Sequence, residues 1–312
     1  MKVAIVGAGA IGSTYAWFLA RAGHEVAIVD VRRDHVEAVA RDGLVAELPG
    51  GFEAVRVAAA TDARRLPAAD LVLVATKSFA TEEAARAAVA LVGEATRVAT
   101  VQNGLGNDRA LARVFGPRRV LPGSTTVAAE LTGPGRVRVA ASTAAGRSTT
   151  SLGPPRDAPE LIDEVGGLCA ELTAAGLPAE ALADVDLVVW RKLALAGSMA
   201  PLSAVLGLTV ADTLANPAAA SLLRRLVEEI VAVARAGGVG LDLDDVWRLC
   251  LGTFETVGPH RTSMAVDVAE GRRTEIEAMC VEVARLGRQR GVPAPVNEVV
   301  GDIVRALELR QA

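Results

Sequence analysis

The chain has 312 residues, 51% hydrophobic and 22% charged, which is enough for two domains with substantial cores and excludes a disordered protein. Its formal net charge is -4, without a run of like charges, which argues against a nucleic-acid partner. The cysteines Cys169, Cys250 and Cys280 lie far apart, so the sequence predicts neither a disulfide framework nor a zinc site, and a reducing cytoplasm fits best. Because Arg191 and Lys192 interrupt the most apolar internal segment, we predict no transmembrane span and no membrane partner.

A glycine loop follows the first predicted strand. Lys2 to Val6 is β-branched and apolar, and Ser13 to Ala22 has helical spacing. In such a loop the first glycine makes the tight turn, the second lets the backbone approach a pyrophosphate, and the third permits close helix packing. We therefore predict a dinucleotide site, whose candidate contacts are the loop residues Gly7, Ala8, Gly9, Ala10, Ile11 and Gly12.

Asp30 ends the second predicted strand, Glu25 to Val29, about twenty residues past the loop, where an acidic side chain can bond both ribose hydroxyls. A carboxylate there repels a 2′-phosphate and favours NADH. Arg32 and Arg33 are near enough to admit NADPH if the chain turns back. The alternative interpretation is that Asp30 only caps the next turn.

Two further polar positions follow predicted strands of the same sheet. Lys77 comes after Leu71 to Ala75, and Asn103 comes after Arg97 to Val101. Ligands bind at the carboxyl edge of open α/β sheets, so we expect Lys77 to point toward the cofactor. Asn103 could hold the nicotinamide side or a substrate oxygen, or be only a turn residue. The neighbouring elements are a helix over His35 to Asp42, an extended segment over Ala54 to Ala59 and a helix over Thr81 to Val92.

The remaining pattern predicts an α/β fold in which a doubly wound sheet precedes an all-helical domain. Val120 to Ala129 and Val137 to Ala141 read as a hairpin that extends the sheet. A short strand at Ser151 to Gly153 and a helix at Asp157 to Ala175 close this part. From about Ala183 only helices follow, broken at Asn216-Pro217, Gly237-Gly238, Gly258-Pro259 and Gly291-Val292-Pro293. We predict domains at residues 1–182 and 183–312.

Lys192 lies in a predicted helix, Asp186 to Leu206, that is apolar on most faces. Lysine occurs elsewhere only at Lys2 and Lys77, among 33 lysines and arginines. The pKa of a lysine falls readily on burial, whereas arginine stays charged, so a lysine can give up a proton near neutral pH. We interpret Lys192 as such a proton donor. The alternative is a lysine that extends out of a half-buried helix.

Glu275 stands near the start of the predicted helix that runs to Arg290, with Thr274 or a neighbour as its first residue. Spacing alone favours an acid that complements the helix dipole. His24, His35 and His260 form no cluster in the sequence, so neither a metal site nor a serine triad is predicted.

Four segments in this order resemble the ketopantoate reductase (2-dehydropantoate 2-reductase) family over nearly the whole chain. They are Gly7 to Gly12, Lys77 with Gln102-Asn103-Gly104, Trp190-Arg191-Lys192-Leu193-Ala194, and Ser263-Met264 followed by Asp267 and Thr274-Glu275-Ile276. The resemblance implies a Rossmann-type first domain and a helical second domain, with the substrate in the cleft between them. It also implies hydride transfer from a reduced nicotinamide, usually that of NADPH, to the ketone of a small branched 2-oxo acid, which gives the (R)-2-hydroxy acid. By the same resemblance Lys192 is the general acid, Glu275 supports it or the substrate, Ser263 binds substrate, and Asn103, Lys77 and Ala129 line the cofactor site.

Two departures from the family pattern leave the function open at this point. The family usually has asparagines one and two turns after the catalytic lysine, where this chain has Ala196 and Ala200, so the substrate pocket is more apolar. It also often has a basic residue after the second strand, where this chain has Val31. Both favour an NAD-dependent enzyme that resembles D-mandelate dehydrogenase. A dinucleotide sensor without turnover and an imine reductase are also compatible with the sequence. The apolar helical half makes a homodimer plausible.

Overall fold

The computed structural model describes residues 1–147 and 149–309. Contacts divide these residues into two compact units. Among the described residues, the N-terminal unit comprises 1–102 and 106–185, and the helical unit comprises 103–105 and 186–309. Since contacts do not show which parts fold independently, the domain division predicted at 182/183 stays a prediction.

The N-terminal unit is built on a six-stranded parallel sheet in the order β5-β2-β1-β6-β7-β8. Its first strand is central, because Val3 pairs with Val26 on one side and Leu71 on the other. The strands of the whole chain are β1 (Lys2–Val6), β2 (Glu25–Val29), β3 (Leu44–Leu48), β4 (Gly51–Val55), β5 (Ala58–Ala60), β6 (Ala69–Val74), β7 (Val92–Thr100), β8 (Val120–Leu121), β9 (Gly123–Thr125), β10 (Ala129–Gly133), β11 (Arg136–Val139), β12 (Thr150–Leu152) and β13 (Ala179–Ala181).

The sheet is doubly wound, as predicted from the sequence. Its strand order reverses between β1 and β6, and ligands of such sheets bind at the carboxyl edge beside that reversal. The strands are β-branched and apolar because both faces of a parallel sheet are covered by helices. Ile5 and Ile28 are fully buried in this core together with Trp17. The helices of the unit are α1 (Ala10–Arg21), α2 (Arg33–Asp42), α3 (Thr81–Ala87), α4 (Asn107–Phe115), α5 (Ala141–Ala144) and α6 (Ile162–Ala174).

The predicted extension of the sheet by a hairpin was wrong. The hairpin β10-β11 exists, but its strand β11 pairs with β3, and β3 pairs with β4, in a separate four-stranded sheet, β10-β11-β3-β4. Residues 120–129 do not form one continuous strand of that hairpin. Pro122 lacks an N–H and ends β8, and Gly123 starts β9, which belongs to a third sheet, β13-β12-β9. The helix predicted over Thr81 to Val92 is also shorter, since Val92 pairs with Ala69 as the first residue of β7.

The helical unit has its core among the inward faces of packed helices. Leu193 and Ile230 are buried there beside Cys250, and Asn216, at a predicted break, caps the next helix by accepting from Ala218 N at 3.0 Å. The helices are α7 (Asp186–Leu206), α8 (Val210–Ala215), α9 (Pro217–Ala236), α10 (Leu243–Val257), α11 (Ser263–Ala269), α12 (Cys280–Arg290) and α13 (Pro295–Leu309). Within the described part of the chain, every helix is too short or too polar to cross a membrane.

The helix predicted to start near Thr274 begins later. Ile276–Ala278 forms a separate 3-10 turn, Met279 has a non-helical backbone, and α12 starts at Cys280. Glu275 is therefore not in the first turn of that helix. The side chain of Thr274 accepts from the backbone N–H of Ile276 at 3.2 Å, which stabilises a local turn instead of a helix start.

Candidate active site

The glycine loop has the backbone geometry of a phosphate-binding turn. Gly7 has a φ of +92°, and a Cβ there would lie 2.7 Å from the backbone nitrogen of Thr76, so a side chain would clash with the loop after β6. A Cβ on Gly12 would collide with the carbonyl oxygen of Gly7, so this glycine lets α1 pack closely on β1. A Cβ on Gly9 would meet nothing within 4 Å.

The open space at Gly9 lies at the amino end of α1. Gly9 is the N-cap residue, no side chain caps the helix, and its first turn carries no acidic residue. The first N–H groups of a helix lack internal partners and bear partial positive charge. The arrangement therefore fits the diphosphate of a dinucleotide, held by the backbone around Ala10 and Ile11.

Asp30 is tied to the glycine loop. Its two carboxylate oxygens accept from the backbone N–H groups of Ala8 at 2.7 Å and of Arg32 at 2.8 Å. The half-buried carboxylate thus lies at the carboxyl end of β2 beside the loop, where a ribose would follow the diphosphate. The guanidinium of Arg32 forms an ion pair with Asp34 at 2.9 Å, and Val31 is 91% exposed.

The loops after β6 and β7 are joined by a side chain that the sequence pattern did not single out. The amide nitrogen of Gln102 donates to the carbonyl of Thr76 at 2.7 Å and to the hydroxyl of Thr81 at 2.9 Å. Lys77 is exposed and directly follows Thr76, the residue that lies against Gly7. A polar side chain directly after a buried strand was the available signal for Gln102.

Lys192 is half-buried on α7, and its pKa is lowered to about 8 by burial, while the nearby Glu275 carboxylate raises it. The helix is anchored on its other side by buried Trp190, whose ring lies 5.5 Å from the guanidinium carbon of Arg290. Trp190 and Lys192 are two residues apart and face opposite directions on a helix, so packing of the tryptophan fixes the rotation of α7 that presents the ammonium.

Glu275 is buried, with 7% of its surface exposed, and follows the turn built by Thr274. Its Oε2 accepts from the side-chain amide of Asn103 at 3.2 Å. The structure thus brings Asn103, Glu275 and Lys192 together in the helical unit, although Asn103 precedes the other two by most of the chain.

Ala196 and Ala200 lie one and two turns after Lys192 on α7, the first half-buried and the second buried. They present only methyl groups. Ser263 is the exposed first residue of α11, and the neighbouring Thr262 caps that helix and hydrogen bonds Ser203 at 2.7 Å. The substrate-binding roles of Ala196, Ala200 and Ser263 stay predictions.

Ala129 is placed differently from the other candidates for the cofactor site. It is the first residue of β10 and pairs with Val139 in the four-stranded sheet, whereas the glycine loop and Lys77 follow strands of the six-stranded sheet. The cofactor contact of Ala129 stays a prediction.

Comparison with known proteins identifies the family of the chain. The family model described as ketopantoate reductase PanE/ApbA matches residues 3–155, and that of its C-terminal domain matches residues 184–308. The chain belongs to the ketopantoate reductase family. A 2-dehydropantoate 2-reductase of Aquifex aeolicus is 32% identical over 99% of this chain and 97% of its own length.

Solved structures of similar proteins agree with the fold. A PanE/ApbA family ketopantoate reductase from Ralstonia eutropha JMP134 is 36% identical, with a TM-score of 0.89, over 100% of this chain and 99% of its own. A D-mandelate dehydrogenase, solved with NADH and anilino(oxo)acetate, is 27% identical, with a TM-score of 0.93, over 100% of this chain and 99% of its own. The family is one of NAD(P)-dependent oxidoreductases acting on 2-oxo acids.

Proposed function

We propose that the protein uses NAD(P)H to reduce a branched 2-oxo acid to the (R)-2-hydroxy acid, as 2-dehydropantoate 2-reductases do. The observation that carries this proposal is the half-buried ammonium of Lys192, with a pKa of about 8 and the Glu275 carboxylate nearby, in a chain of the ketopantoate reductase family. A group with such a pKa is largely protonated at neutral pH and releases its proton readily.

In the proposed reaction, Lys192, Glu275 and Asn103 each have a separate role. A bound nicotinamide would supply a hydride to the carbonyl carbon. Lys192 Nζ would then donate a proton to the carbonyl oxygen, which receives the negative charge. Glu275 favours the charged form of Lys192, so the proton is present when it is needed. Asn103 holds the Glu275 carboxylate. A positioned general acid contributes about a hundred- to ten-thousand-fold to the rate.

Cofactor choice is proposed from the environment of Asp30. Its carboxylate repels a 2′-phosphate, and the guanidinium of Arg32, the nearest candidate to bind that phosphate, is already paired with Asp34. Exposed Val31 adds no charge. These features support NADH, whereas the family resemblance supports NADPH. We expect kcat/KM to be higher with NADH, and an Asp30→Ala variant to narrow the difference between the two cofactors.

A second substrate is supported by Ala196 and Ala200. Their methyl groups follow Lys192 on one helix face and offer no hydrogen bond to a substrate hydroxyl. The similar D-mandelate dehydrogenase also supports a more apolar 2-oxo acid. The branched substrate remains the main proposal, because curated relatives over the full chain are 2-dehydropantoate 2-reductases.

The test is spectrophotometry of NADH and NADPH oxidation with ketopantoate, straight-chain, branched and aromatic 2-oxo acids. Oxidation with any branched acid supports the main proposal, and a preference for an aromatic acid supports a mandelate-like substrate. Tight cofactor binding without oxidation across the panel would indicate a sensor instead. Turnover that appears only when an amine is added with the oxo acid would indicate imine reduction.

Two further parts of the proposal concern assembly and location. The exposed side chains of Val299 and Ile303 lie one turn apart on α13 and support a homodimer. Sedimentation at several concentrations tests this assembly.

The free, buried Cys169, Cys250 and Cys280 support a reducing compartment such as the cytoplasm.

A further inference from the structure

A three-residue segment of the chain, 103–105, lies between β7 and α4 but belongs by its contacts to the helical unit. The backbone N–H of Leu105 donates to the carbonyl of Ala278 at 2.8 Å. The side chain of Asn103 donates to Glu275 at 3.2 Å. Both partners lie at the 3-10 turn Ile276–Ala278, so the segment is bound to this turn at its two ends.

Gly104, between these two hydrogen bonds, makes the close approach possible. Its φ is +81°, a conformation that glycine adopts without strain. A Cβ at this position would lie 2.6 Å from the Cβ of Ala278 and nearer still to its carbonyl oxygen. Any side chain would therefore push the segment away from the turn. We call residues 103–105, bound in this way, the 103–105 clamp.

The 103–105 clamp contacts the side chain of Glu275, whose backbone is held by other hydrogen bonds. Thr274 N–H donates to Glu308 at 2.6 Å, and the Thr274 hydroxyl accepts from Ile276 N–H. These bonds hold the chain on both sides of Glu275. The hydrogen bond from Asn103 instead acts on the Glu275 side chain itself and orients its carboxylate.

We propose that Gly104 is a positioning residue: by letting the 103–105 clamp lie against Ala278, it keeps the Asn103 amide on Glu275 and so keeps the carboxylate beside Lys192. The inference rests on the proposed role of Lys192 as proton donor. Because attraction between charges falls with distance, displacement of the carboxylate weakens the influence that opposes burial at Lys192. Loss of the clamp should therefore lower the pKa of Lys192 further below about 8.

The experiment uses the scarcity of lysine. Only Lys2, Lys77 and Lys192 occur in the chain, so protein labelled with ¹³C,¹⁵N-lysine gives three side-chain signals, and the one absent from Lys192→Arg identifies Lys192. We would titrate the wild type and Gly104→Ala. The matched control is Gly116→Ala, because Gly116 has a φ of +86° and open space at its Cβ. Both alanines carry the same backbone strain, but only one disturbs the clamp.

We expect Gly104→Ala to lower the pKa of Lys192 by about half a unit or more, to move the pH profile of kcat the same way, and to reduce kcat more than it changes KM. Gly116→Ala should leave the titration unchanged. If Gly104→Ala does not fold, Asn103→Ala removes the donor without touching the backbone, and should shift the titration equally. An unchanged or raised pKa of Lys192 overturns the proposal, even if activity falls.

Failure of the proposed function would be recognised separately. A wild-type protein that oxidises neither cofactor with any 2-oxo acid refutes the reductase proposal. The NMR titration needs no turnover, and still decides whether the clamp controls the charge on Lys192.

Discussion

The ammonium of Lys192 is subject to opposite influences from burial and from Glu275, and these leave its pKa at about 8. As a general acid it must be protonated, so kcat/KM for 2-oxo acid reduction should be level below pH 8. Above pH 8 it should fall about tenfold per pH unit. Oxidation of the hydroxy acid needs the neutral amine and should rise over the same range. Initial rates from pH 6 to 10 in both directions measure this, and a reduction rate that stays constant to pH 10 would contradict it.

Replacement of Lys192 separates charge from proton transfer. A guanidinium keeps the positive charge but does not release its proton near neutral pH. We expect Lys192→Ala and Lys192→Arg each to lose about a hundred- to ten-thousand-fold in kcat. Lys2→Arg is the control, because this exposed lysine starts β1 and belongs to no part of the proposed site. Near-normal turnover of the arginine variant would remove the proton-donor role.

The sequence could indicate individual residues but not their partners. Lys192 was recognisable because lysine is rare in this arginine-rich chain and unusual in an apolar helix. The bond between Asn103 and Glu275 joins positions 172 residues apart, and no local pattern encodes a contact of that kind. Gln102 was missed as the link between two loops for the same reason.

Within the first strand-loop-helix element, two glycines have different physical tasks. A Cβ on Gly12 would collide with the Gly7 carbonyl, whereas one on Gly9 would enter open space. We expect Gly12→Ala to destabilise the fold by about 1–3 kcal/mol or more through overpacking. Gly9→Ala should leave stability near that of the wild type but raise KM for the dinucleotide at least about tenfold, because the methyl group takes space needed by the diphosphate.

Urea unfolding and cofactor titrations of both variants test this division, and each variant is the control of the other. Equal losses of stability would show that the open space at Gly9 is not reserved for a ligand. An unchanged KM in Gly9→Ala would remove the diphosphate from this position.

The last helix, α13, begins on a carboxylate from another helix. Glu229 of α9 accepts from the backbone N–H groups of Val296 and Asn297, both at 2.9 Å, and from the Asn297 side chain at 2.8 Å. Hydrogen bonds to a charged group each contribute about 1.5–3 kcal/mol. We therefore expect Glu229→Ala to lower the free energy of unfolding by at least about 2 kcal/mol.

The matched control is Glu228→Ala on the same helix. Glu228 forms a partly exposed ion pair with Arg224 one turn away, and pairs near the surface contribute about 0–1 kcal/mol. Chemical denaturation of the two variants should separate them clearly. Comparable losses would mean that the helix start of α13 needs no carboxylate.

Element types followed from the sequence where the pattern was strong. The predicted bounds of β1, β2 and α7 are correct, because the composition of each element and the residues that flank it indicate the same bounds. β3 was missed, and the extended segment predicted over Ala54 to Ala59 covers only the end of β4, because short strands containing Ala, Glu and Gly have weak strand propensity. The start of α12 was misplaced because Thr274 bonds a local turn, and nothing in the sequence distinguishes that bond from a helix cap.

At the scale of the whole molecule, alternating strands and helices followed by helices alone were sufficient to predict the doubly wound sheet and the helical half. The assignment of strands to three sheets was not predictable, since pairing between distant short strands has no local signal. Nor was the membership of residues 103–105 in the helical unit. The chain therefore passes between the units after residues 102, 105 and 185.

This organisation leads to a prediction about cofactor linkage. A ligand that binds only the native state stabilises it by about 2.7 kcal/mol when present at 100 times its Kd. The proposed diphosphate and ribose contacts, Gly9 and Asp30, both lie in the N-terminal unit. We expect calorimetry to show NADH raising the melting temperature of that unit by roughly 5–10 °C, since each kcal/mol corresponds to about 2–4 °C for a unit of this size.

Variants distinguish binding from chemistry in that experiment. Lys192→Ala should keep the full shift, because it removes a proton donor and no proposed cofactor contact. Gly9→Ala should melt like the wild type without NADH but shift less at the same NADH concentration. If the units melt separately, the transition of the N-terminal unit, which holds the proposed diphosphate and ribose contacts, should move most. A wild-type melting temperature that does not respond to NADH or NADPH would refute the dinucleotide site, and with it the reaction that depends on the site.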